Sequence, residues 1–175
     1  MYSNCPWLPA MAQVDPWTAT TYEMLYDIFR RDFVESRPTY QGHEIWHFPE
    51  MEDGKLAVFW HLTTREVKPT PIPRRKDRFA ASMQQQFQRY PDLRRSERLP
   101  WARAMLKNCG QLEVCAWDYL EGSGNIHTYV WLGSYDFVVI MKKYPDGRRR
   151  LITSFHVDSD YKRKDFERKY ANRLV

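Results

Sequence analysis

After Gly110 the apolar residues stop recurring at helical spacing and begin to alternate, and this change of period restricts the possible folds more than any other feature of the chain. Four stretches, residues 112–119, 126–132, 136–143 and 149–157, carry large apolar groups at every second position, as strands with a buried face require. The segments between them are short: an EGSGN loop at 121–125, residues 133–135, and a Pro-Asp-Gly turn within 144–147. Connections of that length favour antiparallel neighbours, so a four-stranded antiparallel meander is expected. Asp158 or Ser159 is then placed to cap a C-terminal helix over 161–172.

Upstream, the period is mostly helical. Thr20 and Glu23 form a capping-box pair, and Tyr22, Leu25, Tyr26, Phe29 and Phe33 fall on one face of a helix over 21–36. Residues 43–48 and 55–63, joined around Asp53-Gly54, read as a small β-hairpin. In its second strand Leu56, Val58, Trp60 and Leu62 share one face. Ala57, Phe59, His61 and Thr63 share the other, with Arg65 just past the end. Pro69, Pro71 and Pro73 make 67–75 an extended connector. Phe79, Met83 and Phe87 then suggest an amphipathic helix with a basic start. Pro100 opens another helix, which Asn108, Cys109 and Gly110 close. Residues 1–18, with Pro6, Pro9 and Pro16, read as an extended lead that Trp7 and Trp17 anchor. The expected fold is α+β: N-terminal helices and a small β-hairpin, then the meander and its C-terminal helix, as one domain over 19–175.

Composition narrows the function classes. The 175 residues hold no apolar run near the roughly 18–20 residues that span a bilayer, so no membrane partner is expected. Residues 1–17 lack a basic n-region followed by an apolar h-region, which makes a cytoplasmic address the expectation. The 3 cysteines are odd in number and show no CxxC spacing, and the 5 histidines show no HExxH pattern. Reduced thiols, no metal and no cofactor follow as expectations. A net charge of +5 favours a polyanionic partner such as RNA.

The last strand carries polar groups where packing residues belong. Strict alternation places Leu151, Thr153, Phe155 and Val157 on one face, and Arg150, Ile152, Ser154 and His156 on the other. Lys142 on the preceding strand can join the polar face. Cleaving RNA without a metal needs a base for the ribose 2′-hydroxyl, an acid for the departing 5′-oxygen, and cations for the phosphoryl group. His61, His156, Arg98 and Lys142, with Thr153 or Ser154 donating a hydrogen bond, supply such a set. Arg65, Arg94, Arg95 and Arg150 add substrate-binding cations. Each has a plainer role available: Arg94, Arg95 and Arg98 can pair with Asp92 and Glu97 on a helix surface, and Thr153 is a good strand former. His43, His47 and His127 read as structural.

The segment RYPDLRRSERLPWARAMLKNC, the segment YDFVVIMKKYPDGRRRLITSFHVD and the basic KRKDFERKY helix together resemble the phage-associated nucleases grouped with barnase, EndoU, the tRNA-cleaving colicins and RelE. The shared pattern is an RxERxPW-like segment followed by a four-stranded meander ending in an LITSF-like strand, over about residues 90–170. The resemblance implies a metal-independent endoribonuclease, a toxin or prophage effector of this BECR-like kind, restrained by an acidic antitoxin or inhibitor. It points to Arg98 and Thr153, and to His61 through the upstream FWHLTTRE element. Proton chemistry points instead to His156, on the opposite face from Thr153. Two further readings remain: a non-catalytic RNA-binding module stacking bases on Trp117, Tyr129 and Trp131, and a phage-encoded inhibitor that binds an acidic protein.

Overall fold

A computed structural model describes residues 5–67 and 88–174. The helix expected around Phe79, Met83 and Phe87, and most of the proline-rich connector, lie outside the described residues. Helix α1 (Thr21–Phe29) runs into a π-helical turn at Arg30–Glu35. There follow β1 (Thr39–Tyr40), β2 (His43–Trp46), β3 (Met51–Glu52), β4 (Lys55–Leu56) and helix α2 (Ala57–Thr63). Next come β5 (Thr64–Val67), β6 (Gln88–Pro91), α3 (Leu93–Glu97) and α4 (Leu99–Lys107). The chain ends in β7 (Val114–Leu120), β8 (Ile126–Leu132), β9 (Phe137–Lys143), β10 (Arg149–His156) and α5 (Asp160–Ala171).

The molecule is a mixed helix-and-sheet fold around a six-stranded sheet of order β1-β2-β10-β9-β8-β7. Strands β7 to β10 pair antiparallel in chain order. Six strands replace the four expected because β2 leaves its supposed hairpin and joins β10 in parallel, through Arg149 opposite Ile45 and Arg150 opposite Trp46. Only these first two residues of β10 are engaged by β2. Helices α2 and α3 lie along the remainder of β10.

Both faces of the sheet are covered. Helices α1 and α4 pack with Phe137, Val139, Met141 and Leu151 on one side. On the other, Phe166 of α5 closes over Trp117, Tyr129, Trp131, Val138 and Ile140. Two-sided burial explains why residues 137–141 are apolar at every position. Residues 5–18 run along the first side, with Cys5 and Val14 buried and Pro9 accepting a hydrogen bond from the Trp101 indole, 3.0 Å.

The strand expected over 55–63 is corrected by the structure. Only Lys55 and Leu56 are extended, pairing with β3, and Ala57–Thr63 is a helix. Val58, Phe59, Trp60, Leu62 and Thr63 are all buried there, leaving His61 as the outward position. A short run that is apolar nearly all round fits a buried strand and a buried helix equally by period. The helix expected over 74–90 also fails at its end, since Gln88–Pro91 is a strand opposite β5.

A bulge in β10 changes which side chains share a face. Leu151 pairs with Met141, but Thr153 pairs with Ile140, leaving Ile152 as the extra residue. Arg150 lies opposite Lys142, and Lys142 and Ile140 are two apart, so Arg150 and Thr153 point to the same side. Ser154, opposite Val139, and His156, opposite Phe137, point to the other. The expected grouping of Arg150 with Ser154 and His156 is therefore wrong.

Where β1 and β2 meet the meander, the buried Arg149 ties them together. Its guanidinium donates to Thr128 Oγ1 (2.9 Å), the Gly147 carbonyl (2.8 Å) and Gln41 Oε1 (2.8 Å), and lies 3.5 Å from Asp118 Oδ2. Removing one partner of a buried, hydrogen-bonded charge set leaves the others uncompensated. Arg149→Met is expected to cost about 3 kcal/mol of stability in urea denaturation.

Candidate functional site

A helix of seven residues ends with carbonyls that have no partner inside it, and the end of α2 is completed from elsewhere in the chain. The His61 carbonyl accepts from Thr153 Oγ1 (2.9 Å) and from Arg95 Nη1 (3.0 Å). The Thr63 carbonyl accepts from the Asp92 amide (3.0 Å) and from the buried Ser96 hydroxyl (3.0 Å). These bonds hold α2 against β10 and α3, and His61 lines a cavity of about 450 Å³.

Four arginines line this cavity with His61: Arg65, Arg89, Arg95 and Arg150. Thr153, Phe48, Phe155, Glu50 and Glu66 complete much of its wall. Arg65 bridges Asp92 (3.0 Å) and Asp158 (3.1 Å). Arg89 holds Glu52 through both carboxylate oxygens (3.0 and 3.1 Å) and reaches Glu66 at 3.2 Å. Arg95 lies over the Phe155 ring, its Nε 3.3 Å from Asp92 Oδ2 without hydrogen-bond geometry. Arg150 differs from these three. It stacks over Phe48 at 4.3 Å and donates to the Tyr144 hydroxyl at 3.3 Å, and among the described residues no carboxylate pairs with it.

These charges act on His61. The residue is accessible to solvent, yet the surrounding walls desolvate its ring enough to lower its pKa below the ordinary value, with Arg89 and Arg95 pushing the same way. Glu66 and Glu52 oppose the shift. Burial also pushes Arg95 downward, against the pull of Asp92. Near neutral pH the imidazole is therefore uncharged and able to accept a proton. Asp158 is held at about 2, through Lys162 first and Arg65 after it, and so stays an anion.

The structure thus brings His61, Arg65, Arg95, Arg150 and Thr153 to one cavity, and places the other expected residues elsewhere. Arg98 lies over the Trp101 ring and pairs with Glu97. His156, on the opposite side of β10 from Thr153, has its pKa lowered by burial and then by Arg98 and Arg94. Neither lines the cavity of His61, so the set of His61, His156 and Arg98 does not assemble there. Ser154 is buried. Lys142 lines a separate cavity beside Tyr144. The aromatics of a base-stacking module, Trp117, Tyr129 and Trp131, are packed beneath α5. Arg89 was missed, because only the pairing of β6 with β5 brings it beside Glu66 and the cavity.

No family model, no curated protein and no solved structure matches this chain. Among the described residues no helix is long and apolar enough to cross a membrane, and no group of three or more His, Cys, Asp or Glu side chains is placed to hold a metal ion.

The electrostatics of His61 can be read directly by following its ring proton through an NMR pH titration. Arg89→Gln removes the larger of the two depressing charges named above and frees Glu66 and Glu52 to act, so the pKa of His61 is expected to rise. An unchanged or lower value would show that Arg89 does not govern it.

Proposed function

We propose that this protein is a metal-independent endoribonuclease whose base is His61. The observation that carries the reading is one imidazole, held uncharged near neutral pH, in a cavity with four arginines, one of them without a carboxylate partner among the described residues. In this reading the scissile phosphate binds between Arg150 and Arg95, which offer planar donor arrays to its oxygens. His61 takes the proton of the ribose 2′-hydroxyl, whose oxygen bonds to phosphorus. The bond from phosphorus to the 5′-oxygen breaks, and that oxygen takes a proton from water at the cavity mouth. The products are a 2′,3′-cyclic phosphate and a free 5′-hydroxyl.

Thr153 and Arg95 serve here as positioning groups, since both donate to the His61 carbonyl. Arg98, Arg94, Ser154 and His156 have no part in this cavity. In this reading the catalytic cavity sits against β10, the last of the antiparallel strands β7 to β10 that precede α5. A ribonuclease active in its own cell requires restraint, so the reading includes a toxin or prophage setting and an acidic antitoxin or inhibitor seated over the cavity arginines. The rival of a non-catalytic RNA-binding module loses its proposed stacking surface, because Trp117, Tyr129 and Trp131 are 4%, 2% and 8% exposed.

Incubation with total RNA in EDTA, followed by mapping of the ends, tests the reading. Cleavage leaving cyclic phosphates is expected, reduced about 100-fold or more in His61→Ala. Cleavage that survives this substitution, or that requires an added divalent ion, would sink it. The pH profile carries a second expectation. Activity needs neutral His61, so it rises with pH through a midpoint below about 6.5 and then levels off. A falling limb near neutral pH would reveal a second, acidic imidazole.

A further inference from the structure

Arg150 belongs to the cavity of His61 and also begins a row that crosses the sheet. It lies opposite Lys142 on β9, Lys142 lies opposite His127 on β8, and His127 lies opposite Tyr119 on β7. Directly opposed residues share a face, so all four project from one side. With strands about 4.8 Å apart the row extends roughly 14 Å. Aromatic rings are set among the cations: Arg150 over Phe48 at 4.3 Å, and Lys142 over Tyr144 at 5.4 Å. Trp46 packs against both of these rings, at 5.3 and 5.4 Å. Phe48 is 43% exposed.

Two features separate this row from an ordinary charged surface. First, Arg150 and Lys142 have no carboxylate partner among the described residues, whereas the adjacent Lys143 is bound to Asp118 at 2.6 Å. Second, Lys142 lines another cavity, of about 530 Å³, between the two turns that carry Gly124-Asn125 and Tyr144-Pro145. Arg150 lines the first cavity and Lys142 the second, and the two residues are cross-strand neighbours.

We propose that a single strand of RNA runs from the first cavity over Arg150 to Lys142 and seats a flanking nucleotide in the second cavity, its bases lying against Phe48, Trp46 and Tyr144. This rests on the ribonuclease reading of the first cavity and adds the form of its substrate. Uncompensated cations set beside the exposed Phe48 and the half-buried Trp46 and Tyr144 match the alternation of phosphate and base along an unpaired strand. A duplex hides its base faces and has no use for the rings. An acidic protein would match the charge and leave the rings without a role.

The test uses oligoribonucleotides methylated at every 2′-oxygen, which lack the attacking hydroxyl and remain intact. Binding of a dinucleotide and a hexanucleotide to the full chain is followed by fluorescence anisotropy across a range of salt. The hexanucleotide should bind more tightly, and the ratio of the two affinities should fall about fivefold or more in Lys142→Ala. The salt dependence of hexanucleotide binding should shallow by about 0.7 in logarithmic slope, and Lys142→Arg should restore both. An unchanged ratio in Lys142→Ala overturns the proposal. So does a hexaglutamate peptide that binds as tightly as the hexanucleotide and with the same dependence on Lys142. Cleavage through His61 with an unchanged ratio removes the track alone. A Lys142-dependent ratio in a protein that cleaves no RNA removes the ribonuclease reading and leaves the track standing.

Discussion

The carbonyl of His61 is the point on which the candidate site depends. A seven-residue helix has little stability of its own, and its last carbonyls would otherwise face the protein without donors. Thr153 from β10 and Arg95 from α3 both supply donors to it, and Ser96 does the same for Thr63 two residues on. One set of bonds thus closes the helix, covers β10 beyond its contact with β2, and places His61 in the wall of a cavity. The hydroxyl of Thr153, which the motif resemblance marks as a site residue, is spent on holding that backbone.

Charge pairing divides the cations of the cavity by task. Arg65, Arg89 and Arg95 are fixed by Asp92, Asp158, Glu52 and Glu66. Pairs this close to solvent add little to stability, yet they hold the side chains in place and leave their remaining donors directed. Arg150 and Lys142 are held by rings, and a ring does not cancel their charge as a carboxylate would. The two cations left without a carboxylate among the described residues are cross-strand neighbours, one on each cavity. Desolvation, with the paired Arg89 and Arg95 pushing the same way, keeps His61 uncharged near neutral pH.

Much of the architecture was legible because it obeys local rules. The change from helical to alternating period after Gly110, the short turns and the serine ahead of α5 all appear in the residues themselves. Two departures were hidden. A buried helix of about two turns and a buried strand present the same apolar run, so Ala57–Thr63 was misread until its packing was known. The bulge at Ile152 leaves no compositional mark, yet it reverses parity for the rest of β10. As a result, Arg150 belongs with Thr153, and His156 lies on the far side near Arg94 and Arg98.

By itself, then, the sequence determined the existence and order of the last four strands, the helices α1, α4 and α5, the basic character, and the residue types from which a site can be made. These follow from hydrophobic period, turn chemistry and capping, each of which acts over a few neighbouring residues. Only the tertiary structure decided which of those residues meet. The joining of β2 to β10, the pairing of β5 with β6 that brings in Arg89, and the capping of α2 by Thr153 and Arg95 all link residues far apart in the chain. Such contacts are chosen by the need to bury faces and satisfy donors together, and no local pattern encodes that choice.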